Sequence, residues 1–407
     1  MALDLSSNAR TNAIQAVRAR VILPFAGECA ARGTDALNSP VSRIKNGVIV
    51  ARNGVILAVE PYADFTRRSG LPEISLQDLG DVVLAPGLVN CHTHLELSHM
   101  AGGTTIGQGF SRWVASLVAL DRASPPRETI ETAMARTMMA MVGQGTALAG
   151  DISSRMPQTV MDTAGNAGLG LRLFLEAFGH DPSGLESYRK TARSNESFAL
   201  AGHAFYSTSV AVMAGAKEWC AANGRPYSLH LAEHTDELEC LQDGSGSLCD
   251  ALRERVLPPS WRPPGKHPVE LAAEAGILSP GTMAVHCVHC DDSHARTLAG
   301  TGTAVCLCPR SNEMIGVGGR APVRAFADKG VLLVLGTDSL ASNADCDVWN
   351  EAEYFLQKNI MPANALLRTA TVNGAAVLGC LDRFGTLERS KAFCYRIFPS
   401  EMNALLR

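Results

Sequence analysis

The chain has 407 residues, 46% of them hydrophobic and 19% charged, with a formal net charge of −4. That balance excludes a disordered or fibrous chain, and the mild acidity excludes the basic field that nucleic acid or an anionic membrane would require. The length exceeds one small core and suits a large α/β barrel with a minor domain, acting on a small molecule.

The opening stretch MALDLSSNAR carries Asp4 early and has no apolar core, so no secretory signal is expected there. No apolar run approaches the length that spans a bilayer. The expectation is a cytoplasmic protein whose twelve cysteines stay reduced, many of them serving as small hydrophobes. Cys287-Val-His-Cys290 is formally a CxxC, but no second pair follows at zinc-ribbon spacing.

The first element is β-rich. SRIKNGVIVARNGVILAVEP holds two β-branched runs around Asn53-Gly54, a hairpin signal. Eight short strand-like runs follow: 88–94, 146–152, 170–178, 197–204, 227–233, 281–287, 303–309 and 331–339. Segments of helical periodicity separate most of them, such as ETIETAMARTMMAMVGQG before its Gly stop. Near-continuous apolar strands alternating with helices predict a parallel (β/α)8 TIM-type barrel. The last run, RFGTLERSKAFCYRIFP, reads as short extended pieces that return to the first module. The predicted division is therefore 1–86, a barrel over 87–385, and a return over 386–407.

Polar residues collect at one end of these strands. His92, His94, Asp151, Glu176, His203, His230, Glu233, His286 and Asp338 all fall at or near a C-terminal strand end, where barrel active sites are built. In LVNCHTHLELSH the period-two alternation projects His92 and His94 the same way. A bare HxH is often two histidines bonded to backbone or water. With His230 and Asp338 added, three imidazoles and a carboxylate suit one divalent cation with a position left for water. Such an ion lowers the pKa of its water from about 15.7 toward about 7. Glu233 is the candidate to carry the proton to a leaving group, and His286 is placed to hold or polarise the activated water.

GLVNCHTHLE, SLHLAEH, AVHCVH, CPRSN and GTDSLASN together resemble the amidohydrolase superfamily, in its branch of aromatic-amine deaminases and chlorohydrolases. The resemblance runs from about Asn46 to Leu387 and implies that the terminal modules form a flanking β-sandwich. It implies metal ligation by His92, His94, His230 and Asp338, with Glu233 as proton shuttle and His286 orienting the water. Asp338 would also accept a proton. Binuclear members bridge their metals through a modified Lys on the third or fourth strand; neither 169–179 nor 198–209 holds a Lys, which favours one ion, Zn or Fe.

The substrate expectations also come from resemblance. HAFYSTS (203–209) is similar to a segment of adenosine-type deaminases in which His203 would reach the purine edge, although Phe205 replaces the usual Pro. HLELS and GFSRWVASLVALDR resemble aminodeoxyfutalosine deaminases of menaquinone synthesis. Arg310 would then clamp the benzoate, or else pair with a structural acid. Glu96 would bond a ribose hydroxyl or brace its loop. The other readings are 5′-methylthioadenosine, S-adenosylhomocysteine or adenosine as substrate, a cyclic amide or aryl chloride on the same ligands, and a non-catalytic metal-binding protein. A homodimer is left open. His99 and His289 are expected outside the metal site, with His180, His267 and His294 solvated, and GVGGR (316–320) is expected to be a turn. The tail departs from the family ending GTLxxGKxADLVV, which leaves the pairing of the sandwich edge open.

Overall fold

The computed structural model describes residues 14–67, 74–123 and 125–406, so Asp4 and its stretch lie outside the described residues. The chain opens with β1 (Ile14–Ile22), β2 (Ile44–Arg52), β3 (Val55–Pro61), β4 (Ser75–Asp78) and β5 (Val82–Pro86). β2 and β3 form the expected antiparallel hairpin. Its turn residues Asn53 and Gly54 both take left-handed φ, 53° and 74°, the conformation that Asn-Gly accepts at low cost. β1 pairs β2 along one edge and shares its other edge between β4 and β5. Successive residues face opposite sides: Val17 and Ile49 enter one apolar cluster with Leu84, whereas Ala16, Val48 and Val50 meet Phe65 on the other.

The eight strand-like runs become β6 (Leu88–Thr93), β7 (Thr146–Ser153), β8 (Gly170–Ala177), β9 (Phe198–Gly202), β10 (Tyr227–Leu231), β11 (Thr282–His286), β12 (Ala304–Leu307) and β13 (Leu332–Leu335). They pair in sequence order, all parallel, with helices between them. The ring is completed where the carbonyl of His92 accepts the N–H groups of Thr337 (3.1 Å) and Asp338 (2.9 Å). Gly336 permits this approach, since a Cβ there would lie 2.7 Å from the Cβ of His92. The fold thus joins the first and last site residues at one seam. The alternation of apolar strand and helix predicted this barrel correctly.

After the barrel the chain returns as β14 (Tyr395–Pro399), antiparallel to β5. Just before it, Ser390 and Phe393 donate to Ile56 and Gly54 carbonyls, both at the β3 end of the sheet. The atypical tail therefore bonds to both edge strands. Its backbone supplies these bonds whatever side chains it carries. All twelve cysteines are unpaired, and eight are buried. Among the described residues no helix is long and apolar enough to cross a membrane.

Candidate metal centre and active site

His92 near the end of β6 and His94 one residue past it bring their Nε2 atoms to 3.2 Å. Asp338, three residues beyond β13, aims Oδ1 at both, 3.7 Å from His92 Nε2 and 3.5 Å from His94 Nε2. Its other oxygen accepts hydrogen bonds from Ser311 Oγ (2.8 Å) and Ser342 Oγ (2.9 Å), which fixes the orientation of the carboxylate. His230, from β10, places its ring centroid 5.0 Å from that of His92 and 5.5 Å from that of His94. The four predicted ligands are brought together. The donor atoms fall into overlapping trios within 4.8 Å, among them His92–His94–Asp338 and His92–His230–His286.

The protonation of this cluster suits a cation. Burial, then the neighbouring His92, hold His94 down to about 3, and burial holds His230 well below the usual imidazole range. Burial alone would raise Asp338, but its close interactions with His92 and His94 outweigh it and keep the carboxyl well below its usual range. Neutral imidazoles beside an ionised carboxylate are what a divalent metal requires. Nδ1 of His92, Nδ1 of His230 and Nε2 of His286 are buried with no hydrogen-bond partner. Two imidazole nitrogens facing each other, with unpartnered nitrogens around them, fit Zn²⁺ or Fe²⁺ better than a purely structural hydrogen-bond network.

Glu233 lies beside the cluster, with Oε1 3.5 Å from Nε2 of His286. Burial raises its carboxyl well above the usual range, with Asp338 and Glu237 adding to the effect. A shift in that direction suits a group that carries a proton during a reaction. His286 is pushed down to about 4, chiefly by burial, and its Nδ1 lies 2.8 Å from Asn312 Oδ1. With that carbonyl oxygen accepting, the ring proton sits on Nδ1 and Nε2 faces Glu233 bare. The backbone around these groups is unusual: Ala232, His286, Cys287 and Asp338 all have positive φ, between 47° and 73°. Such angles in non-glycine residues cost free energy and cluster at functional sites, where the surrounding structure holds them. Glu237 steadies the Glu233 loop by accepting the N–H groups of Ala232 (3.2 Å) and Glu233 (2.8 Å). Asp151 likewise accepts from Thr93 Oγ1 and Leu95 N, fixing the turn that carries His94. Neither bracing role was read from the sequence, where Glu237 resembles any acid in the first turn of a helix.

An amidohydrolase family model matches residues 83–404, from β5 through the barrel to β14 and just past it. The chain belongs to the amidohydrolase family. It is a hydrolytic enzyme acting on carbon–nitrogen bonds. Curated relatives include the aminodeoxyfutalosine deaminase of Deinococcus radiodurans, 28% identical over 354 residues (82% of this chain, 81% of the relative). Another is a 5-methylthioadenosine/S-adenosylhomocysteine deaminase of Nitratidesulfovibrio vulgaris, 26% identical over 357 residues (82% and 75%). Among solved structures, Helicobacter pylori aminofutalosine deaminase in complex with methylthio-coformycin superposes with a TM-score of 0.80 at 21% identity, covering 96% of this chain and 95% of that one. A zinc-bound adenosine deaminase of Xanthomonas campestris gives 0.74 at 20% identity (96% and 88%).

The substrate candidates of this amidohydrolase divide differently. His203 stays at the cluster, its ring centroid 5.0 Å from that of His230, with Nδ1 held 2.5 Å from Ser207 Oγ. Arg310 forms a two-point pair with Asp345 (2.9 Å and 2.9 Å), and a ligand carboxylate would have to displace it. Both oxygens of Glu96 accept backbone N–H groups at residues 154–156, and Oε1 also takes Ser153 Oγ. In this arrangement Glu96 ties down the start of the helix Pro157–Ala167. His99 bonds the Glu96 carbonyl and His289 the Val317 carbonyl, both through backbone. The expectation that His180, His267 and His294 are solvated is corrected. All three are partly buried, and His267 and His294 stack at 3.7 Å while each accepts a helix-start N–H. Imidazole nitrogens can cap helices as acceptors, which a polar sequence context conceals. GVGGR is a turn between helices, with Gly316 and Gly318 at positive φ.

Proposed function

We propose that this amidohydrolase is a deaminase of a 6-aminopurine nucleoside-type substrate, with aminodeoxyfutalosine the leading candidate. The reading rests on one observation: Glu233 lies 3.5 Å from His286, whose ring gathers with those of His92, His94 and His230 beside the Asp338 carboxylate. The named activities of the Deinococcus and Helicobacter relatives support the choice of substrate. His92, His94, His230 and Asp338 would hold one divalent cation, Zn or Fe, which supplies Lewis acidity and makes a water acidic enough to react near neutral pH.

The chain's own groups handle the protons and the aim. Asp338, clamped by Ser311 and Ser342, accepts a proton from the attacking water. His286, its tautomer set by Asn312, orients that water. Glu233 passes a proton to the substrate, so that a C–O bond forms, the C–N bond breaks and ammonia leaves. His203, freed on Nε2 by its bond to Ser207, faces the purine edge. The substrate is a free small molecule in this reading.

A second reading takes 5′-methylthioadenosine, S-adenosylhomocysteine or adenosine, and the Nitratidesulfovibrio relative favours it. A screen for ammonia release with zinc-loaded and iron-loaded protein separates the two. Turnover should be highest on aminodeoxyfutalosine. Turnover confined to the other nucleosides would transfer the assignment to them, and release from none would overturn the deaminase reading.

A further inference from the structure

Glu176 is the penultimate residue of β8, in the run LFLEA, and the chemistry above gives it no task. Its Oε1 is buried and has no hydrogen-bond partner. The atom it faces, Nδ1 of His230, is also buried and also without a partner. They stand 3.9 Å apart, too far for a hydrogen bond as they stand. A carboxyl group keeps an acceptor oxygen whether or not it is ionised, whereas an imidazole nitrogen is a donor or an acceptor according to where its proton sits. Two unpartnered buried atoms are costly, and a shift of under about 1 Å would satisfy both, provided Nδ1 carries the proton. His203, the third member of the trio within 4.8 Å, has its own Nδ1 engaged by Ser207.

We propose that Glu176 is a positioning residue for His230, accepting its Nδ1 proton when the other ring nitrogen binds a divalent cation. Coordination at one nitrogen fixes the proton on the other, and a carboxylate there sets ring angle and tautomer. The inference rests on the reading of His92, His94, His230 and Asp338 as ligands, and it does not depend on which substrate is turned over. It also explains why a buried carboxyl lies outside the predicted ligand set yet against one of its members.

The test is zinc affinity, measured on metal-stripped protein by competition with a chelating indicator, for wild type, Glu176→Ala and Glu176→Gln. Loss of such a partner weakens metal binding by about 10- to 100-fold, which is the effect expected for Ala. Gln keeps an acceptor oxygen at the same place and should recover part of the affinity; being isosteric, it also serves if the Ala variant does not fold. At saturating zinc, kcat and KM should return toward wild type. Wild-type affinity in both variants with a raised KM would overturn the proposal and give Glu176 to the substrate. Wild-type affinity with only a lowered melting temperature would overturn it in favour of packing. A second zinc per chain, lost in Glu176→Ala, would overturn it by making Glu176 a ligand. Failure of the deaminase reading alone would appear as normal zinc binding with no ammonia from any nucleoside, and the ranking of zinc affinities would still decide the role of Glu176.

Discussion

Two groups of side chains around the barrel mouth are built in opposite ways. His92, His230, His286 and Glu176 each keep a buried polar atom with no partner. Arg310 and Glu96, which the sequence offered equally as ligand-binding groups, have both terminal nitrogens and both carboxylate oxygens engaged. A buried polar atom without a partner costs roughly 1–3 kcal/mol, so a cluster of them implies something that binds there. A saturated group has already found its partner within the chain. Both groups are ionisable side chains around the barrel mouth, and they differ in whether their polar atoms have partners within the chain.

The largest effect should come from the unsatisfied group. Replacing Asp338 or His230 by Ala should remove the stoichiometric metal together with activity, read by elemental analysis of the purified variants. Full metal occupancy in both would mean that the unpartnered atoms do not mark a metal site. Next, Glu233→Gln should keep the metal and lower kcat by about 10²- to 10⁴-fold, as loss of a general acid–base group does. A rate within a few-fold of wild type would make Glu233 a bystander.

The saturated group should behave as scaffold. Arg310→Met leaves Asp345 and Glu351 without their cation and should lower unfolding stability by roughly 1–3 kcal/mol, with equal losses of kcat/KM on aminodeoxyfutalosine and adenosine. If Arg310 instead exchanges Asp345 for a ligand carboxylate, selectivity for aminodeoxyfutalosine should fall by about 10- to 100-fold, the effect of a charge-assisted bond of roughly 1.5–3 kcal/mol. Glu96→Gln should cost about 0.5–2 kcal/mol in chemical denaturation, as loss of a helix-start acceptor does. A raised KM at unchanged stability would return Glu96 to the substrate.

The smallest effect is a titration. Burial holds His203 and His286 at about 4, below the ordinary value of 6.5. In metal-stripped protein both rings should therefore stay neutral as pH falls from 8 to 5 and take up protons only near 4, as followed by histidine NMR. Protonation of either near 6.5 would mean that the cluster is open to water.

Much of this was legible in the sequence. Apolar strands separated by amphipathic helices specify a parallel barrel, because only helices on the outside can cover such strands. The period-two HxH and the polar residues after strand ends mark one face of that barrel, because parallel strands all end on the same side. What stayed hidden is pairwise. Ser311 and Ser342 on Asp338, Asn312 on His286, Glu237 under Glu233 and Ser153 against Glu96 are hydrogen bonds between ordinary polar residues. Most of them join segments far apart in the chain. The same holds for the tail, whose side chains left its pairing open while its backbone bonded to both edge strands of the first sheet. Periodicity and residue type fix which face a side chain occupies, and with it the fold and the candidate ligands. Which donor meets which acceptor depends on distances of about 3 Å between segments that only the closed barrel brings together. Tertiary structure alone therefore decided that Arg310 and Glu96 are already paired within the chain, and that Glu176 and His230 face each other with both atoms free.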